Sequence, residues 1–176
     1  GEFARGDKRL PYEPSIRVPM ILHYPPLGRS GERISAIGLN VDFAPTLIDW
    51  AGLSVPETMQ GQSLLPVLLG QMKAVRLHFL YTYFQEEYAP GIPTILALRT
   101  NRWKYVQYPY EPGAIEELYD LQSDPHEQFP MADDPRYQTI LQQMRGMLEA
   151  EKARLDYRRP DYHYDPADYS EGETEE

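Results

Sequence analysis

Cysteine is absent from the 176 residues, so the chain can form neither a disulfide nor a thiolate metal site, and its redox compartment stays open. Long apolar runs are also missing. No stretch reaches the ~18 residues that a helix needs to cross a bilayer. Positive charge is scarce. The 17 Lys and Arg face 27 Asp and Glu, giving a net charge of −10 and a sequence pI of about 4.9. That balance argues against nucleic acid, whose phosphates require a basic patch. It is a weaker argument against an anionic substrate, because a local pocket can oppose the global sign. No secretory leader is visible. The chain opens at Gly1 inside what reads as a motif, so this says nothing about compartment.

Proline and tyrosine are plentiful, at 17 and 14 residues. Each proline fixes its φ and removes a donor, which favours loops over long helices before residue 135. Val18–Tyr24 is a short apolar run bounded by prolines and predicts a buried strand. Asn40–Gly52 predicts a helix capped by Asn40 or Asp42, with Phe43, Leu47, Ile48 and Ala51 at helical spacing and Gly52 as its stop. Ser63 caps a second, short helix that ends at Gly70.

From residue 78 the pattern changes. His78–Phe84, Ile95–Thr100, Trp103–Tyr108 and Glu117–Leu121 are short, aromatic and β-branched, and they predict an antiparallel meander with a tight hairpin at Asn101-Arg102. A long helix follows over Pro135–Arg154, with Asp134 as its cap. Its apolar stripe of Tyr137, Ile140, Leu141, Met144, Met147 and Leu148 suits one face of that sheet. Phe43, Trp50, Trp103 and Tyr105 read as packing residues.

Three segments, in order, carry a resemblance. The first is Gly6-Asp-Lys8-Arg-Leu-Pro-Tyr12-Glu13-Pro-Ser-Ile-Arg17-Val-Pro19. The second is Val41-Asp-Phe-Ala-Pro-Thr-Leu-Ile-Asp-Trp-Ala-Gly52 with Met59-Gln-Gly-Gln-Ser-Leu-Leu-Pro66. The third is Ala97-Leu-Arg-Thr-Asn-Arg-Trp-Lys-Tyr105 with Glu117-Leu-Tyr-Asp-Leu121 and Asp124-Pro-His-Glu127. Together they resemble the C-terminal portion of the type I, formylglycine-dependent sulfatases of the alkaline phosphatase superfamily. Gly1-Glu-Phe3 and Pro93-Thr94 are most similar to the glucosamine-6-sulfatase branch.

The resemblance implies an α/β sulfatase-like fold, truncated here, whose C-terminal part is α+β with a four-stranded antiparallel sheet and one long helix. Residues 1–75 would end the catalytic domain, 76–155 would form the C-terminal subdomain, and 156–176 would be an acidic, Tyr-rich tail. The implied activity is hydrolysis of sulfate monoesters, on a sugar or glycan. The implied cofactors are calcium and an upstream formylglycine, with no metal ligand in this chain. The missing N-terminal part of the same protein would be its partner, and the compartment would be secreted, periplasmic or lysosomal.

Lys8 is the residue that the motif assigns to the sulfate. An ammonium is a compact charge with three donors, suited to a sulfate oxygen and a developing alkoxide. Without the motif it would read as a solvated lysine. Tyr12, Glu13 and Arg17 are expected to support it, with Glu13 and Arg17 ion-paired to fix the loop. His78, Tyr83 and Glu86 are the candidates for substrate binding, since loops on a rigid scaffold hold such residues. The alternative there is a solvated acidic loop. None of the histidines, at 23, 78, 126 and 163, has the spacing of a metal site. Two rival functions stand: a phosphoester or phosphonate hydrolase of the same superfamily, and a non-catalytic interaction fragment.

Overall fold

Short aromatic and β-branched runs build the sheet because such side chains fill a pleated, half-buried surface. In the computed structural model, which describes residues 9–27, 29–86, 89, 91–113 and 115–158, four helices and four strands follow one another. They are α1 (Glu13–Ile16), α2 (Phe43–Trp50), α3 (Leu65–Leu68), β1 (His78–Tyr83), β2 (Ile95–Thr100), β3 (Trp103–Gln107), β4 (Glu116–Asp120) and α4 (Gln138–Arg154). The chain divides into two compact units, Gly1–Val18 with Leu80–Glu176, and Pro19–Phe79.

In the first unit the strands form one sheet in the order β1-β2-β3-β4. The meander expected from the sequence is therefore present. Asn101 and Arg102 make its central turn, where the Thr100 hydroxyl accepts from the Trp103 amide at 2.8 Å. The β2–β3 pairing sets Leu98 opposite Tyr105, and the β3–β4 pairing sets Tyr105 opposite Leu118. These three point to one face and are buried with Leu141, Met144 and Leu148 of α4. The α4 stripe is the one predicted, and Asp134 caps the turn before it by accepting from the Arg136 amide at 2.9 Å.

The opposite face carries two cross-strand rows, Ala97–Val106–Glu117 and Arg99–Lys104–Tyr119. Residues 9–16 lie on these rows. With both faces covered, Ile95, Leu96, Ala97 and Leu98 are all buried, so β2 reads as a continuous apolar run rather than an alternating one.

The second unit is organised around Asp42, which is fully buried. Its carboxylate takes both Arg76 Nη atoms and accepts from the amides of Leu39 at 2.7 Å and Gln62 at 2.8 Å. Burial alone would raise the Asp42 pKa; the Arg76 and amide donors outweigh it and hold the pKa below the usual value. The Thr46 hydroxyl links the Asp42 carbonyl to the Leu64 amide. Gly61 is required beside this hub, because a Cβ there would lie 2.0 Å from the Val41 carbonyl oxygen.

Two expectations fail in this unit. Val18–Tyr24 forms no strand, and its apolar residues are exposed, Ile21 to 91%. Among the described residues no strand lies beside it, and a lone strand has nowhere to place its backbone donors and acceptors. Phe43 is not a core residue either; it is 51% exposed, with Leu47 beside it on the open side of α2. Helical spacing identifies a face without identifying what covers it. Trp50 does pack, edge-on against Tyr24 at 4.4 Å between ring centroids.

Candidate functional site

Lys8 lies outside the described residues. The chain directly after it, from Arg9 to Ile16, is bound to the sheet at several points. Pro11 is buried, and α1 starts two residues further on with Pro14 in its first turn, where the missing N–H costs nothing.

The strongest of these attachments is a buried set of charges. Lys104 extends from the centre of β3 with no side-chain exposure, and its Nζ meets three oxygens: the Pro11 carbonyl at 2.8 Å, Glu13 Oε1 at 2.9 Å and Glu127 Oε1 at 2.6 Å. An ammonium has three donors, so its charge and its hydrogen bonds are both satisfied. Glu13 also receives Arg99, whose Nη2 is 3.1 Å from Oε2. Glu127 Oε2 accepts from the Glu13 amide at 2.6 Å. Two cations thus face two anions, which is the condition for burying charge without a large penalty.

The two carboxylates are pushed in opposite directions. Burial opposes ionisation of both. For Glu13, the hydrogen bonds and charges of Arg99 and Lys104 outweigh burial and lower the pKa. For Glu127, burial prevails over Lys104, with the Glu13 charge adding to it, and the pKa is raised. Glu127 also adopts a φ of +54°, a left-handed conformation that costs a non-glycine residue ~1–3 kcal/mol and persists only where its surroundings demand it. The contacts to Lys104 and to the Glu13 amide supply that demand.

Beside this set, three tyrosine hydroxyls converge on Glu117. Tyr108 donates at 3.0 Å, Tyr119 at 2.9 Å and Tyr12 at 3.1 Å. The Tyr12 ring also meets Tyr119 edge-on at 6.2 Å. Burial and the Glu117 charge raise the pKa of all three phenols, so they remain neutral donors at any working pH.

The third attachment holds Arg9 itself. The Tyr81 hydroxyl donates to the Arg9 carbonyl at 2.8 Å, and Arg9 Nε lies 2.7 Å from Glu86 Oε2. The Tyr83 hydroxyl reaches the same Glu86 oxygen at 3.3 Å. Tyr81 and Tyr83 share one face of β1 and pack with Ile95, Ala97 and Val106, so their hydroxyls start from fixed rings.

The residues expected at the site are therefore distributed as follows. Tyr12 and Glu13 anchor the segment that carries Lys8. Glu13 pairs with Arg99 and Lys104 and not with Arg17, which is exposed at the end of α1. The expected Glu13–Arg17 pair is corrected accordingly: a partner four residues on, across a single helical turn, loses to two cations projecting from the sheet below. Tyr83 and Glu86 come together around Arg9. His78 does not share their face, because alternation along β1 puts it with Leu80, which packs on the helix side.

Arg99, Lys104, Glu117 and Glu127 all lie in the third segment that carries the resemblance, but the sequence assigns them no role at the site. For Lys104 a signal existed: a lysine flanked by Trp103 and Tyr105 in a strand, five residues after Arg99, is a charge at an inward position. Among the described residues no group of three His, Cys, Asp or Glu could hold a metal ion. No described helix is long and apolar enough to cross a membrane.

Residues 1–154 match the family model of N-sulphoglucosamine sulphohydrolase, C-terminal. An N-acetylglucosamine-6-O-sulfatase of Bacteroides thetaiotaomicron is 33% identical over 164 residues, which are 92% of this chain and 29% of that protein. The solved structure of a protein in complex with its substrate D-glucosamine-2-N,6-O-disulfate superposes with a TM-score of 0.62 and 30% identity, over 69% of this chain and 25% of that one. A phosphonate monoester hydrolase of Agrobacterium radiobacter superposes with a TM-score of 0.53 and 27% identity, over 68% of this chain and 28% of that one. The chain thus spans less than a third of the length of each of these relatives. With its motif-bearing segment bolted to a four-stranded sheet under one long helix, the chain belongs to the C-terminal family of the sulfatases.

Proposed function

We propose that this chain is the C-terminal part of a sulfuric ester hydrolase that acts on sulfated sugars, and that its contribution to the reaction is to present Lys8 to the sulfate. The observation that supports this is the buried set Lys104–Glu13–Glu127–Arg99, which fixes the residues directly following Lys8. A group that must meet charge developing in a transition state is worth most when its position is set in advance. Two of the relatives supply the substrate class, the N-acetylglucosamine-6-O-sulfatase and the protein solved in complex with its substrate D-glucosamine-2-N,6-O-disulfate.

The calcium and the formylglycine implied by the resemblance find no fitting residues among those described. The chain carries neither a Cys-x-Pro-x-Arg nor a Ser-x-Pro-x-Arg sequence, and among the described residues no group of three His, Cys, Asp or Glu could hold a metal ion. They are assigned to the part of the protein that this chain does not contain. Its own role is to bind and to orient.

The similarity to a phosphonate monoester hydrolase keeps a second reading within the same superfamily. The deciding experiment uses the full-length protein with nitrophenyl sulfate, N-acetylglucosamine-6-O-sulfate and a phenyl phosphonate monoester. The sulfatase reading predicts that the sulfated compounds are turned over with the larger kcat/KM. Preference for the phosphonate ester would replace it with the second reading.

A further inference from the structure

We propose that Glu86 and Tyr81 are positioning residues for Lys8, acting through Arg9. This rests on the assignment of Lys8 made above. Arg9 adjoins Lys8 through one planar peptide, so holding Arg9 in place narrows the positions from which the Lys8 side chain can start. Arg9 is held twice. Its carbonyl accepts from Tyr81 at 2.8 Å, and its guanidinium meets Glu86 at 2.7 Å. Leu10, the next residue, packs into the cluster of Tyr83, Ile95, Ala97 and Val106. Glu86 is itself tied down: Tyr83 donates to it, and the neighbouring Gln85 amide donates to the buried Thr94 hydroxyl at 3.1 Å, which closes the base of the loop.

The exposure of this pair argues for a geometric task. The Arg9 and Glu86 side chains are 21% and 32% exposed, and ion pairs so open to water add little to stability. The fully buried Lys104 set already holds the segment to the sheet. What the Arg9–Glu86 pair adds is a second hold on the residue beside Lys8, from the chain just after β1. Glu86 then serves the reaction without touching the substrate, in place of the direct contact expected from the sequence.

The test measures kcat, KM and Tm for full-length protein with nitrophenyl sulfate and N-acetylglucosamine-6-O-sulfate. Glu86→Gln and Tyr81→Phe are each made in the natural background and in Lys8→Ala. In the natural background each change should lower kcat about tenfold, the scale of a sub-ångström misplacement, and leave KM within about twofold and Tm unchanged. In Lys8→Ala the same changes should cost less than about twofold, because the group they position is gone. Equal losses in both backgrounds would overturn the proposal, pointing to direct substrate contact if KM rises and to a folding role if Tm falls. A Lys8→Ala protein with natural activity would instead remove the Lys8 assignment, and the positioning proposal with it.

Discussion

The Lys104 ammonium sits 2.6 Å from Glu127 Oε1, and neither side chain has any exposed surface. Lys104 comes from the middle of β3, and Glu127 from the segment between β4 and α4. Between them they enclose the Glu13 carboxylate and the Pro11 carbonyl. A loop that the sequence would leave loose is thereby made part of the sheet's second face.

Removing the cation from this set should be costly. Lys104→Met leaves Glu13 and Glu127 facing each other under the loop, and breaking a buried pair in this way costs ~3–5 kcal/mol. Urea unfolding of the variant reads this directly. A change within about 0.5 kcal/mol, as for an ordinary surface substitution, would show that the set is not buried in solution.

Stability should fall in acid, and the sign follows from the shifts. Glu13 and Asp42 have pKa values lowered by folding, so each contributes stability above its unfolded value of about 4 that is lost as pH falls through the folded value. Glu127 works the other way. Its pKa is raised, so its contribution is present below the unfolded value and is lost as pH rises through the folded one. Glu13→Gln should therefore flatten the acid limb of a Tm-against-pH curve below pH ~4, while Glu127→Gln should leave that limb in place. Identical limbs for Glu13→Gln and the natural protein would contradict this account.

The core beneath α4 is predicted to tolerate little. Leu148 is 1% exposed against the sheet, and Leu148→Ala should cost ~2–5 kcal/mol as a cavity. Phe43→Ala, at a position half open to solvent, should cost far less in the same chain. Equilibrium unfolding of the two variants compares them, and equal losses would mean that Phe43 is covered.

Amide exchange should separate the segments of this chain studied alone. Residues 95–100, 103–107 and 138–154 lie in ladders or in a helix and should be protected. Val18–Tyr24 lies in neither and should exchange quickly. Strong protection there would show that the segment has found a partner within the chain.

Much of this architecture could be read from the sequence because it rests on local pattern. The aromatic and β-branched runs and the turn residues of β2 and β3, the stripe of α4 and the cap at Asp134 each follow from a few neighbouring residues. What could not be read was pairing across long separations. Glu13 finds Arg99 and Lys104 some ninety positions away, and a nearer cation, Arg17, looked equally suitable in the sequence. Apolar character misled in the other direction. Val18–Tyr24 and Phe43 have the composition of buried residues, but burial also needs a covering surface, and Ile21 and Phe43 remain 91% and 51% exposed.

The central claim is that Lys8 contacts the sulfate. Its most direct test is kcat of full-length Lys8→Ala with nitrophenyl sulfate, alongside its Tm. The account predicts a fall of on the order of 10²–10³ in kcat, the scale of losing one donor that stabilises charge, with Tm unchanged. A kcat within about twofold of the natural protein would contradict it, since removing such a donor is expected to cost far more.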